Sequence, residues 1–278
     1  MAKKKTSRKP PYKGPDRLTA LPSELFEKFG DHLDSTDVLK LRLVNRTIHA
    51  KTTKSFSEKF TRSLTIETSS DTKASEMVLR LLGCDVMANT VKVLRLVHSS
   101  SSIVDAERDH DFFVEVMGKI RVSLERVSIV GDSSRAQGDT VLSTAPYQLI
   151  RALSTSGKSL SILTLSNVGV DHSLLQALFE AQKTSLERLD IEKSMLQGGG
   201  LSLLRVFTGD GSRLKRIYLT EVRESAHPMQ KVVFAPKNLL KAVRNPITNR
   251  FEDYKLQGNT AWFMGTEGVK VGMKAVFG

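Results

Sequence analysis

The residue types that most often carry enzyme chemistry are sparse in this chain and do not fall into catalytic spacings. Its six histidines never form a His-x-x-x-His pair, so no helix can present two imidazoles to one metal ion. Cys84 is the only cysteine, which excludes an intrachain disulfide and the zinc sites built from four cysteines or from two cysteines and two histidines. Neither a Gly-x-Ser-x-Gly turn nor a Gly-x-x-x-x-Gly-Lys phosphate-binding loop is present. We therefore expect a chain without a catalytic site, metal or cofactor of its own.

One polar cluster has the composition of an acid–base site. Asp109, His110 and Asp111 are consecutive and could transfer protons. They directly precede the apolar pair Phe112 and Phe113, however, and a polar triplet before an apolar pair is typical of the start of a helix. We interpret the cluster as structural.

The formal net charge of +12 over 278 residues is concentrated at the two ends of the chain. Residues 1–17 contain seven basic residues and one acidic residue, and residues 231–278 contain eight basic and three acidic residues, which leaves the 213 residues between them at only +1. Two basic tails favour a nucleic-acid-associated scaffold, whose binding would weaken with salt. A nearly neutral body without a helix-turn-helix, zinc finger or aromatic RNA-binding signature disfavours a nucleic-acid partner. This class is therefore kept as the alternative function.

The basic residues Lys3, Lys4, Lys5, Arg8 and Lys9 indicate either a nuclear address or a disordered, solubilising tail. No uncharged apolar run approaches the roughly 18 to 20 residues that a membrane-spanning helix needs, and the N-terminus lacks the apolar stretch of a signal peptide. We expect an intracellular chain, cytoplasmic and/or nuclear, with no membrane partner.

Residues 18–57 carry the pattern of three short helices. Leu25, Phe29 and Leu33 recur at intervals of four, which places them on one face of the first helix. Asp34 and Asn45 are residue types that accept hydrogen bonds from the first free N–H groups of a helix, so they predict the starts of the second and third helices.

The same residues carry a family resemblance. Leu21-Pro22-Ser23-Glu24-Leu25 and Arg42-Leu43-Val44-Asn45-Arg46, in this order and spacing, resemble an F-box, although Phe29 stands where an aliphatic residue is commoner. The F-box is the module by which substrate receptors dock on the Skp adaptor of cullin-based (SCF) ubiquitin ligases. The resemblance implies that the following residues contact the adaptor or hold the contacts in place: Leu21, Pro22, Leu25, Leu39, Leu41 and Val44. The alternative is an amphipathic helical cap that uses the same residues as core.

Downstream, the pattern apolar-x-x-apolar-x-apolar recurs with starts 33, 36, 26 and 28 residues apart. Its full copies are Val91, Leu94, Leu96; Leu124, Val127, Ile129; Leu160, Leu163, Leu165; Leu186, Leu189, Ile191; and Leu214, Ile217, Leu219. Weaker copies are Thr61, Leu64, Ile66 and Phe251, Tyr254, Leu256. A helical pattern separates successive full copies, and parallel strands require such a crossover, so the sequence predicts an α/β chain in which a βα solenoid forms one parallel sheet.

The repeated units resemble those of leucine-rich-repeat proteins, many of which carry an N-terminal F-box. The asparagine or cysteine usual after the last apolar position of each copy is replaced, for example by Val168, Ser194 and Val222. The bland alternative is an ordinary mixed α/β domain. We divide the chain into a disordered basic tail (1–17), an F-box (18–57), a leucine-rich-repeat-like solenoid (58–224) and an irregular C-terminal repeat or cap (225–278), with a helix expected near 237–244.

Residues that alternate with the buried apolar positions of a strand lie on the opposite face of its sheet. That face would carry the candidate target-binding residues Arg95, Arg126, Arg188, Arg216 and Tyr218. Guanidinium groups bind carboxylates and phosphates in bidentate fashion, so this row could receive an anionic segment. A solvated polar face, partly neutralised by Asp190, is the alternative.

Together these patterns and resemblances predict a non-catalytic substrate-recognition subunit of an SCF-type ligase. Its helical box would bind the Skp adaptor and, through it, cullin, while its repeat region would bind a protein target. Its chemistry would be proximity, because tethering a target raises its effective concentration near the ubiquitin carrier.

Overall fold

The computed structural model describes residues 18–68, 72–98, 106–131, 145–198, 200–225, 235–244, 251–258 and 260–277. The chain divides into two compact units between Phe60 and Thr61. The described part of the first unit is helical, and the second is an α/β unit built on a nine-stranded sheet. No helix in the described part of the chain is long and apolar enough to cross a membrane.

Four short helices form the described part of the first unit: α1 (Ser23–His32), α2 (Ser35–Arg42), α3 (Arg46–Lys51) and α4 (Thr53–Phe60). The predicted caps are present. The Asp34 carboxylate accepts a hydrogen bond of 2.7 Å from the N–H of Asp37 at the start of α2, and the Asn45 side chain accepts one of 2.8 Å from the N–H of Ile48 at the start of α3. The sequence pattern over 18–57 predicts only three helices, whereas the structure adds α4.

The core of the first unit is built from one large apolar side chain in each of its first three helices. Phe26, Val38 and Ile48 are each buried to about 1% exposure. Helix α4 closes the unit because α1 approaches it at Gly30, where a Cβ atom would lie only 2.2 Å from the Ser55 hydroxyl oxygen. Glycine at position 30 therefore sets the distance between α1 and α4.

The second unit alternates strands with helices for most of its length. In chain order it contains β1 (Ser63–Thr68), α5 (Thr72–Leu82), α6 (Asp85–Ala88), β2 (Val93–His98), α7 (Ala106–Lys119), β3 (Leu124–Val130), α8 (Ala145–Thr155), β4 (Leu160–Ser166), β5 (Gly169–Val170), α9 (His172–Gln182), β6 (Arg188–Glu192), β7 (Met195–Gln197), a 3₁₀ helix (Gly200–Thr208), β8 (Arg216–Thr220), β9 (Arg223–Ser225), β10 (Ala235–Arg244), β11 (Phe251–Gly258), β12 (Thr260–Met264) and α10 (Thr266–Phe277).

The large sheet has the strand order β1-β2-β3-β4-β6-β8-β12-β11-β10. The first six strands of this order are parallel to one another, and each of the last three is antiparallel to the strand before it. The predicted α/β class is confirmed, and most of the sheet is parallel. The expectation of one wholly parallel sheet is wrong, because the last three strands run antiparallel and because β5, β7 and β9 form a second small parallel sheet.

The C-terminal part of the chain departs most from the sequence interpretation. The helix expected near 237–244 is the strand β10, which is paired with β11. The weak copy of the pattern at Phe251, Tyr254 and Leu256 lies in β11 and is not a further parallel strand. A single residue separates β11 from β12, which leaves no room for the crossover that a parallel connection needs, so the two strands pair antiparallel.

The core of the second unit lies between the sheet and its helices. The last two apolar positions of each full pattern copy are fully buried: Leu94, Leu96, Val127, Ile129, Leu163, Leu165, Leu189, Ile191, Ile217 and Leu219. They pack in one cluster with helix residues such as Phe113, Leu149 and Leu178. The strand residues that alternate with them lie on the other side of the sheet, which we name the open face.

Three parallel strands end in the same strained turn. Asn167, Lys193 and Glu221 follow β4, β6 and β8 directly and have φ values of 54°, 46° and 49°. Non-glycine residues pay about 1 kcal/mol or more for this left-handed conformation. Their spacings of 26 and 28 residues equal those of the sequence pattern, so the turns are equivalent parts of successive βα units.

Gly131 follows β3 and takes the corresponding place in the preceding unit, 36 residues before Asn167. Its N–H donates to the carbonyl of Ser166 at 2.8 Å, so the backbone ladder continues past the end of the strand. A Cβ atom on Gly131 would lie 2.1 Å from the carbonyl oxygen of Asn167. Only glycine allows the turns of these two units to stack this closely.

Ser194 occupies one of the positions where the leucine-rich-repeat pattern has asparagine. It is fully buried, and its hydroxyl donates to the carbonyl of Glu192 at 2.7 Å and accepts from the N–H of Val168 at 3.3 Å. The hydroxyl thus satisfies backbone groups in two successive units. The backbone pairing of β5, β7 and β9 satisfies others beside it.

We expect Gly131→Ala to lower the free energy of unfolding by about 1 to 3 kcal/mol, because the methyl group must displace the Asn167 carbonyl. Gly118→Ala is the matched control, since Gly118 lies in α7 and a Cβ there meets nothing within 4 Å. That substitution should be neutral or stabilising by up to about 1 kcal/mol. Thermal unfolding of both variants measures the difference, and equal unfolding temperatures would contradict the tight stacking.

Candidate interaction surfaces

The open face is ordered into three rows that run across the strands, because the ladder fixes which residues lie beside one another. The first row is Ser63, Val93, Arg126, Ile162, Arg188, Arg216 and Met264. The second row is Thr65, Arg95, Ser128, Thr164, Asp190, Tyr218 and Trp262. The third row is Glu67, Val97, Val130, Ser166, Glu192, Thr220 and Thr260. Of these residues only Asp190 is buried.

All five residues that the sequence assigned to one face do lie on the open face. Arg126, Arg188 and Arg216 lie in the first row, and Arg95 and Tyr218 lie in the second. Arg188 and Arg216 are direct register partners on neighbouring strands, so their backbones are about 4.8 Å apart. Like charges placed directly opposite each other destabilise a sheet unless a counter-charge lies nearby.

Asp190 supplies that counter-charge to one arginine. The Arg188 Nε donates to both carboxylate oxygens of Asp190, at 3.0 and 2.9 Å, and this hydrogen bond raises the pKa of the Arg188 guanidinium. Asp190 is only 8% exposed, so its charge is directed at Arg188 and away from solvent. Asp190 thus neutralises the charge of Arg188 and not that of the other three arginines on the open face.

The other three arginines of the open face, Arg95, Arg126 and Arg216, are exposed and make no ion pair within the part of the chain that the structure describes. Glu67 and Glu192 lie in the third row. They are four residues along the strand from the first row, or about 13 Å. The open face is therefore cationic towards the beginnings of its parallel strands.

Sequence reasoning missed two residues of the open face. Strand β12 pairs antiparallel with β8 and brings Trp262 beside Tyr218 and Met264 beside Arg216. Burial alternates along β12, since Ala261 and Phe263 are fully buried and their neighbours are not, but four of its five residues are apolar, so the sequence shows no such alternation. What local sequence could not indicate was that β12 lies next to β8.

The first unit exposes apolar side chains that its own core does not use. Four residues predicted to contact the adaptor have large exposed fractions: Leu21 37%, Leu25 49%, Leu39 44% and Val44 60%. Pro22 is also exposed, whereas Leu41 is half-buried. Phe29 and Leu43, at 48% and 86%, extend the set. We name these exposed residues the apolar stripes, because Leu25 and Phe29 are spaced by four along α1, with Leu21 in the segment just before it, and Leu39 lies in α2 with Leu43 directly after its end.

Specific contacts hold the ends of both stripes. Lys51 donates from Nζ to the carbonyl of Thr19 at 2.6 Å and to that of Leu21, which fixes the segment that precedes α1 to α3. At the end of α2, the Arg42 guanidinium lies 4.2 Å from the centre of the Phe56 ring and donates to the hydroxyl of Thr53 at 3.3 Å. The exposed positions are thus presented by a fixed backbone.

The other candidates from the sequence carry no site in the described residues. The Asp109, His110 and Asp111 cluster lies inside α7, which begins earlier than expected, at Ala106. Within the described ranges no group of three or more His, Cys, Asp or Glu side chains could hold a metal ion. The basic tail at 1–17, with its candidate nuclear address, lies outside the described residues.

Comparison with known proteins finds no matching family model and no matching curated protein.

We expect Asp190→Asn to lower the free energy of unfolding by about 1 to 2 kcal/mol at low salt, because it leaves Arg188 beside Arg216 without a counter-charge. Added salt should narrow the difference from the wild type, since it screens the repulsion between the two guanidinium groups. Thermal unfolding at about 20 mM and 500 mM NaCl measures both effects.

Glu192→Gln, which removes a charge from the third row of the same strand, is the control and should change stability little. Equal losses in the two variants, or a loss in Asp190→Asn that salt does not reduce, would contradict the electrostatic role of Asp190.

Proposed function

We propose that the chain is the substrate-recognition subunit of an SCF-type cullin ubiquitin ligase, cytoplasmic and/or nuclear. In this proposal the first unit is an F-box that docks on the Skp adaptor, and the second unit binds a protein target. The observation that carries the proposal is the exposure of the apolar stripes in a unit whose core is formed by Phe26, Val38 and Ile48.

The exposures bear on the competing interpretation of the same residues. A helical cap would bury Leu21, Leu25, Leu39 and Val44 as core, and they are exposed. Large apolar side chains grouped on a small unit mark a surface that another protein covers. Each is about half exposed, so covering it contributes about 0.7 to 1.5 kcal/mol, and several such side chains together stabilise a complex.

The second unit supports a binding role by its construction. Its βα units are stacked through one sheet, with a repeated turn at Asn167, Lys193 and Glu221 and with Ser194 in place of a ladder asparagine. This arrangement resembles the leucine-rich-repeat proteins named for the sequence pattern. It leaves the open face, which carries the candidate target-binding residues, uncovered by described residues.

The mechanism that follows contains no catalytic residue of this chain. The adaptor and cullin would hold the first unit near a charged ubiquitin carrier, and the second unit would hold the target. Tethering raises the effective concentration of the target lysines around the carrier to the millimolar range for a short connection. Catalysis would take place on the other subunits.

We expect the double variant Leu25→Ser, Leu39→Ser to lose co-purification with the Skp adaptor. Both side chains are about half exposed, so removing them forfeits about 1.5 to 3 kcal/mol, which weakens binding by about ten- to a hundredfold. Both residues are exposed, so the unfolding temperature should remain close to that of the wild type.

Met77→Ser, Val114→Ser is the matched control, because both residues are exposed apolar side chains on helices of the second unit. It should retain the adaptor. Unchanged adaptor binding by the Leu25 and Leu39 variant would overturn the proposed docking.

A further inference from the structure

We propose that the open face binds an extended acidic peptide segment that crosses the strands from β3 to β12 and places an apolar side chain against Trp262. This deepens the proposed function by naming the class of target. It rests on the geometry of the second unit alone and does not require the adaptor.

The positive charge of the first row is not fully balanced by carboxylates of the described residues. Arg126 and Arg216 are exposed and without an ion pair in the described ranges, and Arg216 lies directly beside Arg188. Such a row costs stability in the free chain. Carboxylates of a ligand would remove that repulsion, and a guanidinium group donates two parallel hydrogen bonds to a carboxylate.

The three arginines of the first row are spread over four neighbouring strands. Arg126 and Arg216 are three strand steps apart, or about 14 Å, and Arg188 lies between them. An extended chain advances about 3.3 Å per residue, so four or five residues span this distance. Alternate side chains of an extended chain lie on the same side, about 7 Å apart, so every second carboxylate can face arginines that are spread out in this way, whereas one focal phosphate cannot.

The carboxylates of the open face disfavour a long polyanion as the ligand. Glu67 and Glu192 lie on the same face in the third row, and Asp190 lies in the second. A nucleic acid carries a negative charge at every nucleotide, so its phosphates would be repelled by these carboxylates as well as attracted by the arginines. A short acidic peptide can follow the first row and avoid the third.

Two aromatic side chains and a methionine lie where the proposed peptide would reach β8 and β12. One strand step beyond Arg216, the first row continues with Met264, and in the second row Tyr218 lies beside Trp262. All three side chains are half-buried, so they offer apolar surface at fixed positions. Tryptophan and tyrosine beside arginine are the residues that dominate binding energy at protein interfaces. A leucine at the end of an acidic stretch would contact this group.

Trp262 is the only tryptophan of the chain, so its fluorescence reports directly on this site. The probes are the hexapeptides Glu-Asp-Glu-Asp-Leu-Leu and Leu-Leu-Asp-Glu-Asp-Glu, which present the same groups in the two possible chain directions, each titrated into the full chain. We expect a saturable change in emission with at least one of them, and an affinity that falls as salt rises.

The double variant Arg126→Glu, Arg216→Glu should weaken peptide binding at least tenfold. If this charge reversal disturbs folding, the neutral double variant Arg126→Gln, Arg216→Gln takes its place and should also weaken peptide binding at least tenfold. The matched control is Arg151→Glu, Arg205→Glu, which makes the same charge change at exposed arginines of α8 and the 3₁₀ helix and should bind as the wild type does. Equal losses in test and control variants would overturn the proposal.

Three further results would also overturn it: no saturable change with either peptide, tighter binding of a ten-nucleotide oligouridine than of both peptides, or tighter binding by tenfold or more when one acidic residue is replaced by phosphoserine. The Arg126 and Arg216 variants should retain the Skp adaptor. A failure of peptide binding is therefore distinguishable from a failure of the proposed docking.

Discussion

Parallel backbone pairing between successive βα units is the interaction on which the second unit depends. The ladder does not stop at the strand ends, because Gly131 and its counterparts Asn167 and Lys193 each donate an N–H to a carbonyl of the next unit. This extension requires a left-handed backbone at Asn167 and Lys193 and the absence of a side chain at Gly131. The cost of the strained turns is offset by the fixed register, which in turn places the residues of the open face in rows.

The two units present surfaces of opposite chemistry. The first unit buries few side chains and leaves apolar ones in solvent, which is typical of a surface that another protein covers. The second unit buries a large apolar core, although Met77 and Val114 on its helices are exposed, and its open face is cationic towards the beginnings of the parallel strands. The proposed function assigns the apolar surface to the adaptor and the cationic surface to the target.

The apolar pattern of the sequence is sufficient to predict strands and their faces where the buried positions of a strand must be apolar. Each full copy of the apolar pattern marks a strand of the sheet, and alternation within those strands is enough to assign Arg188 and Arg216 to one face. Pairing between distant segments has no such local signature, so the antiparallel β12 and the position of Trp262 beside Tyr218 were missed. Periodicity also cannot tell whether a stripe such as Leu25 and Leu39 contacts its own core or a partner. That distinction came only from the exposed fractions.

Hydrogen exchange of the full chain, with and without the Skp adaptor, tests the central claim most directly, since it shows which unit the adaptor covers. The expected result is a complex in which amide protection rises within residues 18–60, above all in α1 and α2, while the strands of the open face exchange as they do in the free chain. Absence of a complex, or protection that appears on the open face and not in the first unit, would contradict the account.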